Sequence, residues 1–261
     1  MGDAASKTSS KTLDMVRSKW VVLLALLLLI VGIPLSFWMP YQRQRWALQA
    51  IEAAGAKVSV ELGPGGPDWL RNIIGDAAMQ VFDQPKRIAI NEPPPQFGDE
   101  DLQHLAGLTT LQFLYLDNTQ AGDMGLRHLA GLTELRYLVL SNTQVSNEGL
   151  KHLVGLTKLE RLYLNNSQVR DEGLKHVEGL TVLDRLLLAN TQVSDEGLQH
   201  LAGLTKLRYL DLSNTHVSDE GLKHLVGLTI LDRLLLTNTQ VSNEGVARLR
   251  AALPNCEITV D

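Results

Sequence analysis

The hydrophobic positions of this chain repeat every 24 residues from residue 105 onward, without an insertion. Leucine returns in the same columns of this register, and a glycine column keeps the same spacing. A fixed period of this length indicates a solenoid, in which each repeat buries its apolar face only against its neighbours. One leucine column contains Leu114, Leu138, Leu162, Leu186, Leu210 and Leu234, and the glycine column contains Gly125, Gly149, Gly173, Gly197, Gly221 and Gly245.

Each repeat combines two periodicities. Leu114 and Leu116 are two residues apart, as in a strand with one buried face, whereas Leu126 and Leu129 are three apart, as on one helical face. The pattern therefore predicts strand, turn, helix and turn in every repeat. Leucine spaced L-x-x-L-x-L within this period is typical of a leucine-rich repeat solenoid, an α/β fold with parallel strands on the concave face and short helices on the convex face.

Both ends of the solenoid need a cover, because an open end would expose leucines and unpaired strand edges. Ile258 and Val260 lie 24 residues after two leucines of the last full repeat, and they predict a final strand. Ile88 and Ile90 predict a first strand, displaced by about two residues through the insertion at 91–95. This interpretation gives eight strands.

The segment before the repeats has its own pattern. It predicts a helix at residues 42–54, an extended piece near 57–62 and a second helix from about Asp68. Several large apolar side chains of this segment are expected to cover the first repeat, namely Trp46, Ile51, Trp69, Leu70, Ile73 and Ile74.

The run from Trp20 to Met39 contains no charged residue. As a helix it covers roughly the 30 Å hydrocarbon thickness of a bilayer, which favours a transmembrane signal anchor. A cleavable signal peptide and a buried soluble helix are the alternatives, but no small-x-small cleavage pattern follows the run. Four basic residues precede the run and two follow it within about 15 residues, which favours a cytoplasmic N-terminus and an extracytoplasmic repeat domain.

The predicted organisation has four parts. These are a disordered cytoplasmic tail at 1–19, the signal anchor at 20–39, a juxtamembrane helical and N-terminal capping region at 40–98, and the leucine-rich repeat domain with its C-terminal capping strand at 99–261. The net charge is −5, and residues 99–261 carry 14 basic and 21 acidic side chains. An acidic body argues against nucleic acid as a partner.

Two polar columns follow each strand, where the chain turns away. Their side chains are expected to satisfy backbone groups of the turn. One column holds Asn118, Asn142, Asn166, Asn190, Asn214 and Asn238, and the next holds Thr119, Thr143, Ser167, Thr191, Thr215 and Thr239. Serines at 146, 194, 218 and 242 stand before the helices and are expected to cap them, with the acidic residues that follow placed at the positive end of the helix dipole.

Six histidines also form a column, on the predicted helices. A metal array is one interpretation, but a single column supplies no tetrahedral ligand set, and repeat duplication explains it without a metal. The histidines are His104, His128, His152, His176, His200 and His224. The one cysteine, Cys256, permits no internal disulfide, and no catalytic motif is found, so we expect neither cofactor nor enzymatic activity.

The strand residues that alternate with the buried leucines are predicted to face the concave side. Tyrosine and arginine, which are enriched at binding hot spots, recur among them. The candidate site for a protein or peptide partner consists of Phe113, Tyr115, Tyr137, Arg161, Tyr163, Arg185, Leu187, Tyr209, Asp211 and Arg233. A structural role in the cell envelope without a specific ligand is the alternative.

The repeat row L-x-x-L-x-L-x-N-T-Q-V-S-D-E-G-L resembles the cysteine-containing-like, or ribonuclease-inhibitor-like, subclass of leucine-rich repeats, with threonine in place of cysteine. The row is similar to those of the membrane-anchored repeat proteins of planctomycete-type bacteria. Residues 50–58 and 66–70 resemble the N-terminal module that these proteins place before their repeats. The resemblance covers residues 42–261 and implies a membrane-tethered interaction protein. The subclass also supplies substrate receptors of ubiquitin ligases, but no adaptor-binding F-box segment is visible.

Overall fold

The computed structural model describes residues 33–65, 68, 71–72 and 83–260. The chain divides into two units. One is formed by Gln44–Gly63 and Gln84–Asp261 and contains the repeats, and the other is formed by the remaining residues. In the second unit the Arg71 guanidinium donates to the carbonyl of Gly65 at 3.0 Å and to the carboxylate of Asp83 at 3.1 Å.

Strands and short helices alternate along the repeats as the two periodicities predict. The strands are β1 (Lys57–Gly63), β2 (Gln84–Glu92), β3 (Phe113–Tyr115), β4 (Tyr137–Val139), β5 (Arg161–Tyr163), β6 (Arg185–Leu187), β7 (Tyr209–Asp211), β8 (Arg233–Leu235) and β9 (Glu257–Thr259). The helices are α1 (Ile33–Ala53), α2 (Asp99–Leu102), α3 (Asp123–Leu126), α4 (Asn147–Leu150), α5 (Asp171–Leu174), α6 (Asp195–Leu198), α7 (Asp219–Leu222) and α8 (Asn243–Ala252).

The described strands form one nine-stranded sheet in chain order, parallel from β2 to β9. Leu114 pairs with Leu138, which keeps the 24-residue register, and Ile88 pairs with Leu114, which is the two-residue displacement expected from the insertion at 91–95. The expected number of eight strands was wrong by one. The ninth strand is β1, the extended piece predicted near 57–62. It runs antiparallel to β2 and adds a strand to the edge of the sheet.

The leucine columns are buried between the sheet and the helices and form one continuous core. At its N-terminal end, Ile51 and Phe97 are each 0% exposed. Trp46 was expected to help with this cover, but it is 65% exposed, because the helix turns Ala47 and Ile51 toward the core instead. Predicted cover from Trp69, Leu70, Ile73 and Ile74 lies outside the described residues. At the other end, Ile258 pairs with Leu234 and is 7% exposed.

Most of the predicted transmembrane run, and all of the predicted tail at 1–19, lies outside the described residues. Its last seven positions belong to α1, which begins at Ile33 and includes Pro40, rather than beginning at residue 42. Within the described residues, no helix is both long enough and apolar enough to cross a bilayer.

A hydrogen-bonded ladder joins each repeat to the next. Oδ1 of Asp171 accepts from the backbone N–H of Ser194 at 2.7 Å, and its Oδ2 accepts from the Ser194 hydroxyl at 2.6 Å. The same pair of bonds joins Asp123 to Ser146, Asp195 to Ser218 and Asp219 to Ser242. Hydrogen bonds from Ser242 lower the pKa of Asp219.

The predicted serine caps form only in part. The hydroxyls of Ser146, Ser218 and Ser242 accept from backbone N–H groups of the first helical turn, whereas that of Ser194 makes no such bond. All four hydroxyls, that of Ser194 included, donate to the aspartate of the preceding repeat. The aspartate at the start of α3, α5, α6 and α7 is therefore more than a partner for the helix dipole, because it also holds the next repeat.

The two polar columns after the strands have different roles. In the threonine and serine column the hydroxyl donates to the carbonyl three residues earlier, for example from Thr191 to Leu188 at 2.6 Å, as predicted. The asparagine column does not satisfy the turn with its side chains. Its six residues take positive φ values of 54 to 60°, a left-handed conformation that asparagine adopts more readily than most residues. Two of its side chains bond along the column instead, with Asn142 donating to Asn118 and Asn238 to Asn214.

Candidate interaction face

We define the concave face by the outward-facing residues of the parallel strands. It consists of the two outer positions of each strand from β3 to β8, of Arg87 and Ala89 in β2, and of Glu257 and Thr259 in β9. In β3 to β7 the outer positions are half-buried and the middle leucine is fully buried. Parallel pairing at a constant register places equivalent residues side by side. All ten residues predicted from the sequence as the candidate site lie on this face.

Aromatic rings and an arginine stack in sequence at the N-terminal half of the concave face. The ring centroids of Phe113 and Tyr137 are 4.6 Å apart with a 36° tilt. The guanidinium carbon of Arg161 lies 4.5 Å from the centroid of the Tyr137 ring. This three-strand stack restricts the rotamers of all three side chains, so that less conformational entropy is lost when a partner contacts them.

Two further arginines stack on tyrosines. Arg185 lies 5.4 Å from the Tyr209 ring centroid, and Arg87 lies 4.7 Å from that of Tyr115. Arg87 was missing from the predicted site, although the sequence held the signal for it. Once Ile88 is aligned with Leu114, the preceding residue falls beside Phe113, and the structure pairs them in this register.

Ion pairs border the concave face, mostly between neighbouring strands. Arg136 pairs with Glu160 at 2.6 Å and Arg208 with Asp232 at 2.9 Å. Arg233 donates from Nε at 3.0 Å and from Nη2 at 2.7 Å to one oxygen of Glu257, and this hydrogen bond raises the pKa of the guanidinium.

The pairing of Arg161 is weaker. Its Nε lies 3.5 Å from Oδ1 of Asp184, and both atoms are buried without a hydrogen bond. These buried atoms sit in the centre of the sheet, beside Arg185. Nε of Arg161 can therefore still donate a hydrogen bond at the centre of the concave face, and Oδ1 of Asp184 can still accept one.

The histidine column lies on the helical side, away from the strand residues. His176 is half-buried there, and its pKa is lowered from the usual histidine value. Burial is the main cause, and the positive charges of Lys175 and Lys151 add to it. Its Nε2 has no hydrogen-bond partner, whereas Nδ1 of His200 contacts the carboxylate of Glu178. In the described part of the chain, no group of three or more His, Cys, Asp or Glu residues is placed to hold a metal ion.

Comparison with known proteins agrees with the repeat geometry. A family model described as Leucine Rich repeat matches residues 203–226, one period of the register. No curated protein matches the chain. The crystal structure of an internalin C2 from Listeria monocytogenes is similar with a TM-score of 0.53 and 25% sequence identity, over 72% of this chain and 84% of that one. A second internalin of the same organism has 21% identity and a TM-score of 0.42, over 66% of this chain and 60% of that one.

These observations agree on the architecture. The 24-residue register, the parallel strands with buried leucines and the family match within one repeat all describe the same unit. Leucine-rich repeats are typical protein–protein interaction modules, and the curved stack of strands is their extended binding surface. From β2 to β9, this chain folds as a leucine-rich repeat solenoid.

Proposed function

We propose that this protein is a membrane-anchored interaction protein whose repeat domain binds a protein or peptide partner through the concave face. The observation that carries the proposal is the set of tyrosines and arginines in contact with one another on β2 to β7, in three groups whose members are half-buried except for the exposed Arg87. Tyr and Arg dominate binding hot spots because each combines a large apolar surface with polar groups at its end.

The size of the concave face supports the same function. The eight parallel strands β2 to β9, spaced about 4.8 Å apart, give a face of roughly 34 Å. That is enough for one side of a small interface. Tyr163 and Leu187 lie side by side in its centre, where a partner would best exclude water.

The proposed anchor is the uncharged run at 20–39, and the charge difference across it supports an extracytoplasmic repeat domain. Restricting a binding domain to a membrane raises its effective concentration near partners in the same envelope. We therefore expect the partner in the cell envelope, as another protein or a segment of one.

Proximity crosslinking in the native cell tests this function. The concave variant is Tyr163→Ala combined with Arg185→Glu. A matched control on the helical side is His152→Ala combined with Arg127→Glu, which makes the same kinds of change at residues away from the strands. The concave variant should lose the partners that the wild type captures, while the control keeps them. If the folded concave variant keeps all partners and the control loses them, the concave face is the wrong surface.

A further inference from the structure

We infer that the partner segment is acidic and that Arg185 binds one of its carboxylates. The inference rests on the proposed function, because it names the chemistry of the segment held by the same concave face. The charge on the concave face is opposite to that of the chain. The outer positions of β2 to β9 hold four arginines and two carboxylates, whereas the whole chain has a net charge of −5. The arginines are Arg87, Arg161, Arg185 and Arg233, and the carboxylates are Asp211 and Glu257.

These arginines differ in whether a carboxylate of the same chain already lies beside them. Arg233 is held by Glu257, and Arg161 has Asp184 at 3.5 Å. Arg87 lies on β2, one strand from the antiparallel edge strand β1. Arg185 lies in the middle of the sheet, and no carboxylate within the described residues forms an ion pair with it. It is therefore the central cation that a partner can neutralise.

A contact with Tyr209 holds the Arg185 side chain on the concave face, with the guanidinium carbon 5.4 Å from the centroid of the ring. Such a cation–π contact is an attraction between the positive charge and the ring and uses none of the guanidinium's five N–H donors for a hydrogen bond. Those donors remain free for a bidentate contact with a carboxylate. Arg185 also lines a polar depression of the concave face that leaves room for the carboxylate to approach. The other lining residues are Asp184, Arg208, Tyr209, Asp232, Arg233 and Glu257, and among them Arg208 pairs with Asp232 and Arg233 with Glu257.

The surroundings of Arg185 define the rest of the segment. Leu187 is on the same strand and neighbours Tyr163 on β5, so apolar side chains should flank the carboxylate. Four acidic residues lie around the position, and two of them, Asp232 and Glu257, are paired with Arg208 and Arg233. Asp211 accepts from the backbone N–H of Ser213 at 3.0 Å, and Asp184 faces Arg161. Because all four carboxylates already face a donor or a cation, we expect an acidic segment to bind here in preference to a basic one.

Selection from a random peptide library on the full-length protein tests the inference. Enriched peptides should contain more Asp and Glu than the starting library, flanked by apolar residues. One enriched peptide is then compared with its counterpart in which Asn and Gln replace Asp and Glu, by fluorescence anisotropy on wild type, Arg185→Gln, Arg185→Lys and the convex control Arg127→Gln.

Arg185→Gln should weaken binding of the acidic peptide by about tenfold or more, because a hydrogen bond to a charged group is lost. Arg185→Lys should restore part of the affinity, since it keeps the charge without the planar pair of donors. Arg127→Gln should bind as the wild type does. The amidated peptide should bind weakly to the wild type and lose nothing further in Arg185→Gln, which assigns the effect to this one pair.

The outcomes separate the inference from the proposed function. If the enriched peptides lose affinity in Tyr163→Ala but are basic or neutral, or bind Arg185→Gln as well as wild type, the concave face is a binding site and the carboxylate assignment is wrong. If no peptide is enriched, or if neither Tyr163→Ala nor Arg185→Gln changes binding, both are rejected.

Discussion

The glycine in the first turn of each helix from α3 to α8 makes room for a side chain of the preceding repeat. A Cβ added to Gly197 would lie 2.4 Å from Oδ1 of Asp171 and 3.0 Å from a methyl group of Leu174. The same carboxylate oxygen accepts the backbone N–H of Ser194. Glycine is therefore required by close approach between repeats and not by its backbone angles, since Gly55 is the single described glycine with positive φ.

Gly197→Ala should destabilise the full-length protein by about 1 to 3 kcal/mol, because the added methyl group must displace the Asp171 carboxylate and its hydrogen bonds. Gly203→Ala is the matched control, since no atom lies within 4 Å of its Cβ position. There we expect no loss, or a gain of up to about 1 kcal/mol from reduced freedom of the unfolded chain. Urea unfolding followed by circular dichroism measures both, and equal losses in the two variants would contradict the close-approach argument.

The residue-level roles were only partly accessible from the sequence. Hydroxyl donation by the threonine column follows from its position after the strand, and it is confirmed. The role predicted for the asparagines was wrong. Spacing in the sequence does not distinguish a side chain that bonds the turn from a residue whose own backbone is left-handed. The ladder from Asp171 to Ser194 spans 23 residues, so neither residue looks exceptional in its local sequence.

At the scale of single elements, β9 closes the core with short-range contacts. Ile258 packs into the leucine cluster, and Arg250 donates to its carbonyl at 3.1 Å. In a solenoid each repeat contacts only its neighbours, so that the loss of an end element is felt mainly in the adjoining repeat.

Ile258→Ala should lower hydrogen-exchange protection of the amides in β8 and β9 while leaving the central strands protected, because a truncated isoleucine leaves a cavity only at that end. Leu186→Ala, in the fully buried centre, is the comparison and should cost about 2 to 5 kcal/mol. Uniform deprotection of all strands by Ile258→Ala would show that the end strand stabilises the repeats as one cooperative unit.

The first strands show how far pattern alone can lead. The alternation of Ile88 and Ile90 was sufficient to predict β2 and its displacement, because both side chains had to enter the core. It did not predict that β1 joins the sheet, since Val58 and Val60 are only half-buried and alternate with exposed residues, as they would in an unpaired extended segment. Exposure of Trp46 depends on the direction in which α1 meets the core, which the helix period does not fix.

At the scale of the whole molecule, the predicted topology can be tested directly. Protease added to intact spheroplasts should remove the repeat domain and leave the tail at 1–19 protected, because the basic residues favour a cytoplasmic N-terminus. Immunoblots with a tag at each end report the two fragments, and permeabilised cells, in which both ends are cut, are the control. Protection of the repeats in intact cells, with cleavage of the tail, would reverse the orientation.

The ladder of carboxylates and serines also bears on how the gene can change. The junction from Asp171 to Ser194 has the same donors and acceptors as that from Asp195 to Ser218. A block of 24 residues removed or duplicated between such junctions therefore leaves a junction of the same chemistry behind. Unequal crossing-over between the repeated stretches of DNA can thus lengthen or shorten the protein by whole strands, and copy number becomes a heritable way to adjust the length of the surface.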